Sequence, residues 1–272
     1  MLSETDSNEH TASQQLQLKQ SNSWRRLRIA AYVALSVHFV AGVAMALVLR
    51  QGLDTAEFGT RISFLAECRS LWIAAWFCWN LAALSILFFY AAFVDAHKRG
   101  GKSIEWLLRF AFYISVAAVG VDLTAESIEM GVIPDLAQKI LHNSSALSTA
   151  AQLPASLTVA IAGSDLFLAF HRAAVMMTGY LANGLYTLSA AFLVVATRRE
   201  YDKWTLTAGC LVVSGGVWLS LACLLDSVMG MLLSNILLLP ALLLWLALVA
   251  KSCLKRIGEL DKQNSFAVNT KA

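Results

Sequence analysis

The chain has 272 residues, of which 58% are hydrophobic and 14% are charged, and its formal net charge is +3. Soluble domains carry roughly 25% charged residues, so this composition excludes an ordinary soluble protein and indicates a membrane protein. No basic patch is interleaved with aromatic side chains, which excludes the usual pattern of a nucleic-acid-binding surface.

The hydrophobic residues lie in long blocks, and each block approaches the roughly 20 residues that a helix needs to cross a bilayer. The polar segments 1–24 and 252–272 predict disordered cytoplasmic tails on either side of a membrane domain over 25–251. We therefore predict an all-α, polytopic transmembrane helix bundle with six spans. The predicted spans are 27–49, 71–94, 104–124, 174–197, 204–225 and 231–250.

The segment between the third and fourth spans carries conflicting signals. Pro134 and Pro154 bound a stretch rich in Ser, Thr and Ala, so an outer loop followed by a surface helix is predicted over 133–172. Residues 156–197 form a nearly unbroken helical pattern, which is longer than one span requires. The part over 157–171 is therefore expected to lie on the membrane or to re-enter it. Two separate spans are the alternative, although no turn signal divides them.

The distribution of lysine and arginine predicts the orientation. With both termini in the cytoplasm, 16 of the 21 basic residues fall on the cytoplasmic side. That asymmetry is the one that the positive-inside rule requires. Splitting 156–197 into two spans would place Arg198, Arg199 and the basic C-terminal cluster outside. Six spans with cytoplasmic N and C termini are therefore preferred, in a plasma membrane of the bacterial inner-membrane kind.

Three acidic residues follow the third span at helical spacing. Asp122, Glu126 and Glu129 stand at i, i+4 and i+7, so they share one helix face. One interpretation is solvated charges, with Arg172 pairing with Asp122 or Glu126. The other is a cation or metal site to which His171 adds transition-metal capacity. The candidate residues on this outer side are Asp122, Glu126, Glu129, Asp165, His171, Arg172 and Asp226. No cofactor is predicted other than a metal ion at this acidic cluster.

Three polar residues lie within the predicted spans, namely His38, Asn80 and Asn183. A polar group at that depth is a functional candidate by default. For His38 the favoured interpretation is an interhelical hydrogen bond to Asn80 or Asn183. A face of small residues recurs every four positions, at Gly179, Asn183, Thr187 and Ala191. Such a face favours close helix packing, including packing in a homo- or hetero-oligomer within the lipid bilayer.

The motifs of common enzymes are missing from the sequence. It contains no G-x-S-x-G nucleophile elbow and no glycine-rich phosphate loop. The leading hypothesis is therefore a non-enzymatic membrane component, meaning an accessory, sensor or assembly protein. A small ion-coupled transporter is the first alternative, because polar residues occur in the spans and acids at their outer ends. A membrane-embedded, metal-dependent hydrolase that uses Asp122, Glu126 and His171 is the second.

Overall fold

The computed structural model describes residues 3–53, 56–98, 102–149 and 153–269. Within these ranges the regular structure is helical and contains no strand. A 3₁₀ turn covers Leu49–Gln51 and a π-helix covers Met176–Ala182. The α-helices are α1 (Ser3–Leu47), α2 (Phe58–Glu67), α3 (Arg69–Ala96), α4 (Lys102–Thr149), α5 (Leu153–Val175), α6 (Asn183–Thr197), α7 (Lys203–Leu224) and α8 (Val228–Asn269).

Six helical segments of the described chain are long and apolar enough to cross a membrane, which confirms the six predicted spans and the all-helical fold. Large hydrophobic side chains such as Phe39, Phe77 and Trp218 are exposed on the outside of these helices. Contiguous exposed apolar surface of this kind is what a bilayer covers. The segments are Leu18–Gln51, Arg69–Ala96, Ile104–Asn143, Gly163–Thr197, Lys203–Leu224 and Val228–Lys262.

The spanning helices form a closed ring. Each packs against its neighbours in the order α1, α3, α4, α6, α7, α8 and back to α1. One apolar core, which includes Phe89 and Trp245, lies toward the end where Trp24 meets His97, and we call this the terminal end. A second core, which includes Trp72 and Phe167, lies against α2 at the opposite end, and we call this the α2 end.

The structure has helix where the polar composition predicted disordered tails, because α1 begins at Ser3 and α8 continues to Asn269. Residues 1–2 and 270–272 lie outside the described residues. Tertiary packing holds the helical turns of α1 and α8 that lie just beyond the predicted spans. Ser21 is buried, and the apolar side chains of Cys253 and Ile257 belong to the apolar core at the terminal end. A polar composition therefore hid helices that are stabilised by tertiary contacts.

The predicted outer loop is also helical. α4 continues through Pro134 to Thr149, and residues 150–152 lie outside the described residues before α5 begins. The reason is an apolar stripe at i, i+3, i+4 and i+7, which packs against α2 and α5 as one helix face. Its members are Ile133, Leu136, Ala137 and Ile140. The segment before the span predicted over 174–197 is continuous with it, because α5, the π-helix and α6 follow one another directly.

The small-residue face of the fourth span packs against α7 within the chain. A Cβ atom added to Gly216 would lie 2.0 Å from Thr187 Oγ1, and one added to Gly179 would lie 2.3 Å from Cys223 Sγ. These contacts leave no room for larger side chains at either glycine. The close packing that the spacing predicted therefore occurs between α6 and α7.

Candidate functional site

The acidic face of α4 is turned into the protein. Asp122, Glu126 and Glu129 are 9%, 2% and 1% exposed, although all three are ionisable. They are held there because the same stretch of α4 packs against α3, α5, the π-helix and α6. The interpretation as solvated charges is therefore wrong for these three residues. Since burying an ionised carboxylate costs several kcal/mol, each needs a partner, a proton or a bound cation.

Glu129 has its partner in His171 on α5. The His171 Nδ1 and Glu129 Oε1 atoms are 2.7 Å apart, and both side chains are buried. Phe167, one turn earlier on α5, stacks nearly parallel to the imidazole, and the Arg61 guanidinium lies 4.9 Å from the Phe167 ring centre. The Trp72 indole N–H donates to the Glu129 carbonyl oxygen at 2.7 Å. Glu129 is thus held by both its side chain and its backbone.

Asp122 lies one turn deeper than Glu126 along α4 and accepts a hydrogen bond from the Thr178 hydroxyl. Thr178 belongs to the π-helix over Met176–Ala182. A π-helix adds a residue to the helical turn and occurs frequently at functional sites. Here it joins α5, which carries His171, to α6, and the donor to Asp122 lies within it.

Glu126 is different from its two neighbours. Its Oε2 atom is buried without a hydrogen-bond partner among the described residues, as is Glu129 Oε2, but Glu129 has His171 beside its other oxygen. The Asp122 carboxyl lies one turn away on the same buried helix face. The Tyr186 hydroxyl on α6 is buried, lies within hydrogen-bonding reach of Asp122 and also faces Glu126. Glu126 is therefore the member of the Asp122–Glu126 pair that has a buried oxygen without a hydrogen-bond donor.

Arg172 does not neutralise this pair. Its Nη1 atom lies 2.6 Å from Asp226 Oδ1, at the turn between α7 and α8. The expected pairing of Arg172 with Asp122 or Glu126 is therefore wrong. Asp226 adopts a left-handed backbone conformation, with φ of 54°, as it terminates α7. Asp165 points to the surface and is not part of the buried group.

The Arg172–Asp226 pair also sets the depth of the site. It marks the level at which α7 ends and α8 begins. Thr178 lies six residues further along the α5–α6 rod, which is roughly 9 Å at about 1.5 Å per residue. The Thr178–Asp122 contact therefore lies within the candidate spans Ile104–Asn143 and Gly163–Thr197, and Glu126 lies between this contact and the level of Arg172.

The other intramembrane polar residues are satisfied locally. His38 Nδ1 lies 2.8 Å from the Ala34 carbonyl oxygen and 3.5 Å from Ser85 Oγ, so its expected bond to Asn80 or Asn183 is wrong. The Asn80 amide contacts the Met130 sulfur at 3.6 Å. The Asn183 amide donates to the Gly216 carbonyl at 2.7 Å and to Ser220 Oγ at 2.9 Å. Asn183 thus ties α6 to α7.

The chemistry of the site is that of oxygen ligands and hydroxyl donors. Among the residues that the structure describes, no three His, Cys, Asp or Glu side chains are grouped to hold a metal ion. The carboxylates of Asp122 and Glu126 and the hydroxyls of Thr178 and Tyr186 are the groups that face one another. They can hold a proton or a small cation.

Several contributors to the site were missed by sequence reasoning. Arg61 was not among the predicted candidates, but it is 2% exposed and donates to the Gly52 carbonyl at 2.7 Å. Thr178 and Tyr186 carried one usable signal, which is that they are polar residues eight positions apart in an apolar span, on nearly the same helix face. No local signal announced the π-helix.

Comparison with known proteins gives no significant match. No protein-family model matches the sequence, and no curated protein and no solved structure is significantly similar to it.

Proposed function

We propose that this protein is a small ion-coupled transporter of the plasma membrane, of the bacterial inner-membrane type, with both termini in the cytoplasm. The observation that carries the proposal is the buried pair Asp122 and Glu126, which lies within the apolar layer without a basic partner at Glu126. Ionisable residues inside membranes mark ion and proton pathways more often than they serve stability alone.

The neighbouring elements support a coupling role. Asp122 is bonded to the π-helix, which is continuous with α5 on one side and α6 on the other. Binding of a cation or proton at the carboxylates changes the charge that Thr178 meets. An element whose helical register is already irregular can respond to that change by shifting its hydrogen bonds. Ion occupancy would thereby alter how α5 and α6 pack.

The orientation rests on the positive-inside distribution, and the structure adds a supporting feature. The terminal end carries the basic residues Arg25 and Arg256, while the α2 end carries the buried carboxylates. Fusions of a cytoplasm-active and a periplasm-active reporter to the C-terminus test this directly. We expect only the cytoplasm-active fusion to give signal, and the opposite result would invert the proposed topology.

Transport is tested with purified protein in proteoliposomes on a solid-supported membrane. Amino acids, organic anions and organic amines are presented in turn under a fixed proton or sodium gradient. We expect a gradient-dependent current with at least one class, and we expect Asp122→Asn to abolish it. His38→Ala should retain the current, because His38 is bonded only to Ala34 and Ser85 in the described structure. Currents that Asp122→Asn leaves unchanged would contradict the proposal.

A non-enzymatic accessory or assembly protein is the second candidate, and the terminal end favours it. A cavity of about 410 Å³ opens there, lined by Gln20, Trp24 and charged side chains that include Lys255 and Glu259. A polar segment of a partner protein fits such a mixed-charge recess. Co-purification of a stoichiometric partner that Lys255→Glu releases, together with no current for any substrate class, would favour this second function.

A further inference from the structure

The buried carboxylates of α4 do not have equal surroundings. Glu129 is paired with His171 at 2.7 Å, and Asp122 accepts a hydrogen bond from Thr178. Glu126 has neither a basic partner nor a hydroxyl donor at Oε2, although it is 98% buried, being 2% exposed. An ionised Glu126 would therefore be less compensated than Glu129, which has His171 beside it, or Asp122, which has the Thr178 hydroxyl.

We propose that Glu126 carries an exchangeable proton, and that Asp122 is the fixed anion that holds this proton in the membrane. The ligand of the site is thus a proton rather than a metal cation. The proposal rests on the proposed function for its role in transport, because the proton is then the coupling ion. The occupancy of Glu126 itself is measured without any transport assay.

The oxygen count favours a proton over a divalent cation. Ca²⁺ takes about six to eight oxygen ligands and Mg²⁺ about six in near-ideal octahedral geometry. The site offers the carboxylates of Asp122 and Glu126 and the hydroxyls of Thr178 and Tyr186. A proton on Glu126 needs no coordination shell. It removes the repulsion between the two carboxylates and leaves Glu126 with an O–H donor in place of a buried charge.

The other charged and titratable groups around Glu126 have partners of their own. From α5, His171 faces Glu129 and Arg172 faces Asp226. From α2, Arg61 donates to Gly52 and lies over Phe167. From α3, the Tyr90 hydroxyl donates to the Tyr186 carbonyl at 3.2 Å, and from α7 the Cys223 thiol lies against Gly179. The Tyr186 hydroxyl is the group of α6 that faces the pair.

The proton site explains the position of Tyr186. A phenol can accept a hydrogen bond from a protonated carboxyl or donate one to a carboxylate. Tyr186 Oη is buried, lies within hydrogen-bonding reach of Asp122 and faces Glu126, so it is placed to exchange between these two roles as the proton enters or leaves. We infer that Tyr186 positions the proton on Glu126, and Tyr186→Phe should retain the proton while slowing its exchange.

Infrared spectroscopy of the full-length protein in lipid nanodiscs tests the assignment. Near neutral pH, the wild type should show a protonated carboxylic-acid C=O band that shifts in D₂O. Glu126→Gln should abolish the band, and Glu126→Asp, which keeps a carboxyl group if the amide variant misfolds, should shift it. Asp122→Asn should retain the band near neutral pH but lose it at a lower pH than the wild type, because the fixed anion that favours the proton is gone. Glu67→Gln is the matched control, because Glu67 is an exposed acid at the same end of the bundle.

Each alternative outcome overturns the assignment. A wild type without the band has an ionised Glu126. A band that survives Glu126→Gln, or that disappears in Asp122→Asn, places the proton elsewhere. Saturable binding of Na⁺ or Ca²⁺ in calorimetry that Glu126→Gln removes would make the site a metal-cation site. If the band follows the prediction but proteoliposomes carry no current, the proton site stands and the transporter function falls.

Discussion

Each end of the bundle holds a buried histidine beside a glutamate, but the two arrangements differ. At the α2 end, His171 and Glu129 are 2.7 Å apart with side chains that are 4% and 1% exposed. At the terminal end, His97 is fully buried, whereas Glu200 is 37% exposed and lies 3.9 Å from the imidazole. The α2-end pair is therefore desolvated, and the terminal-end pair is partly in water.

The terminal-end glutamate also has a second partner. Arg256 binds Glu200 Oε2 at 2.9 Å, and its guanidinium lies 4.4 Å from the Trp24 ring centre. His97 stacks on Phe93 with ring centres 4.2 Å apart. Aromatic packing and a redundant cation thus hold the terminal end. The α2 end has its own apolar core around Trp72 and Phe167, and it adds ionisable groups that are buried, which is typical of a functional site.

The largest expected effect is that of His171→Ala. It leaves Glu129 buried without the imidazole that lies 2.7 Å from its carboxyl, and breaking one partner out of a buried pair costs about 3–5 kcal/mol. The matched change at the other end, Glu200→Gln, should cost less than about 1 kcal/mol, because exposed pairs contribute little. The unfolding midpoint of each variant in the same detergent measures the difference. Equal losses would show that the two ends are not distinct.

A smaller effect is expected from Arg256→Lys. Lysine keeps the charge but loses the planar stacking on Trp24 and Tyr201 and one of the two contacts to Glu200. We expect a loss of about 1–2 kcal/mol in unfolding free energy. The same assay reports it, and Arg25→Lys, whose guanidinium is exposed and 3.5 Å from Asp261, is the control that should change nothing. A neutral Arg256→Lys would mean that aromatic packing alone holds this end.

The smallest effect concerns the turn before α7. Asp202 caps this helix by accepting from the Trp204 and Thr205 backbone N–H groups, both at 2.9 Å, and these bonds lower the pKa of its carboxyl. A depressed pKa stabilises the fold above the unfolded pKa of about 3.9, and this contribution is lost as pH falls through the folded pKa. Asp202→Asn keeps a capping oxygen that does not titrate, so it should lose less stability in acid than the wild type.

The control for the cap is Asp202→Ala, which should cost about 1 kcal/mol at neutral pH. Both variants are measured by thermal unfolding at neutral and acidic pH. The nearby Tyr201 hydroxyl is buried and the pKa of that group is raised, so it stays neutral throughout this range. An identical acid profile for Asp202→Asn and the wild type would show that the Asp202 cap does not contribute to the pH dependence of stability.

The sequence was sufficient for the parts of the fold that depend on apolar block length. The spans at 71–94 and 204–225 lie within two residues of the helices Arg69–Ala96 and Lys203–Leu224, because composition alone sets where such helices lie in a bilayer. The loop prediction for 133–149 failed because Pro134 and polar residues concealed the apolar stripe that α2 and α5 cover. Tertiary packing decided that helix, and a single sequence does not show it.

The candidate site was only half predictable for the same reason. The i, i+4, i+7 spacing correctly placed Asp122, Glu126 and Glu129 on one face. Which of them has a partner depends on the register of α5 against α4, and the π-helix changes the register of the chain that follows α5. In that geometry Arg172 pairs with Asp226, and Glu126 has no basic partner.

The most direct test of the central claim is a current measurement that compares one acid from each end. Proteoliposomes with wild type, Glu126→Gln and Glu200→Gln are presented with the same substrate under the same proton gradient. The account predicts that Glu126→Gln abolishes the current, whereas Glu200→Gln retains it, because only Glu126 lies at the ion site. A current that survives Glu126→Gln, or that Glu200→Gln abolishes equally, would contradict the account.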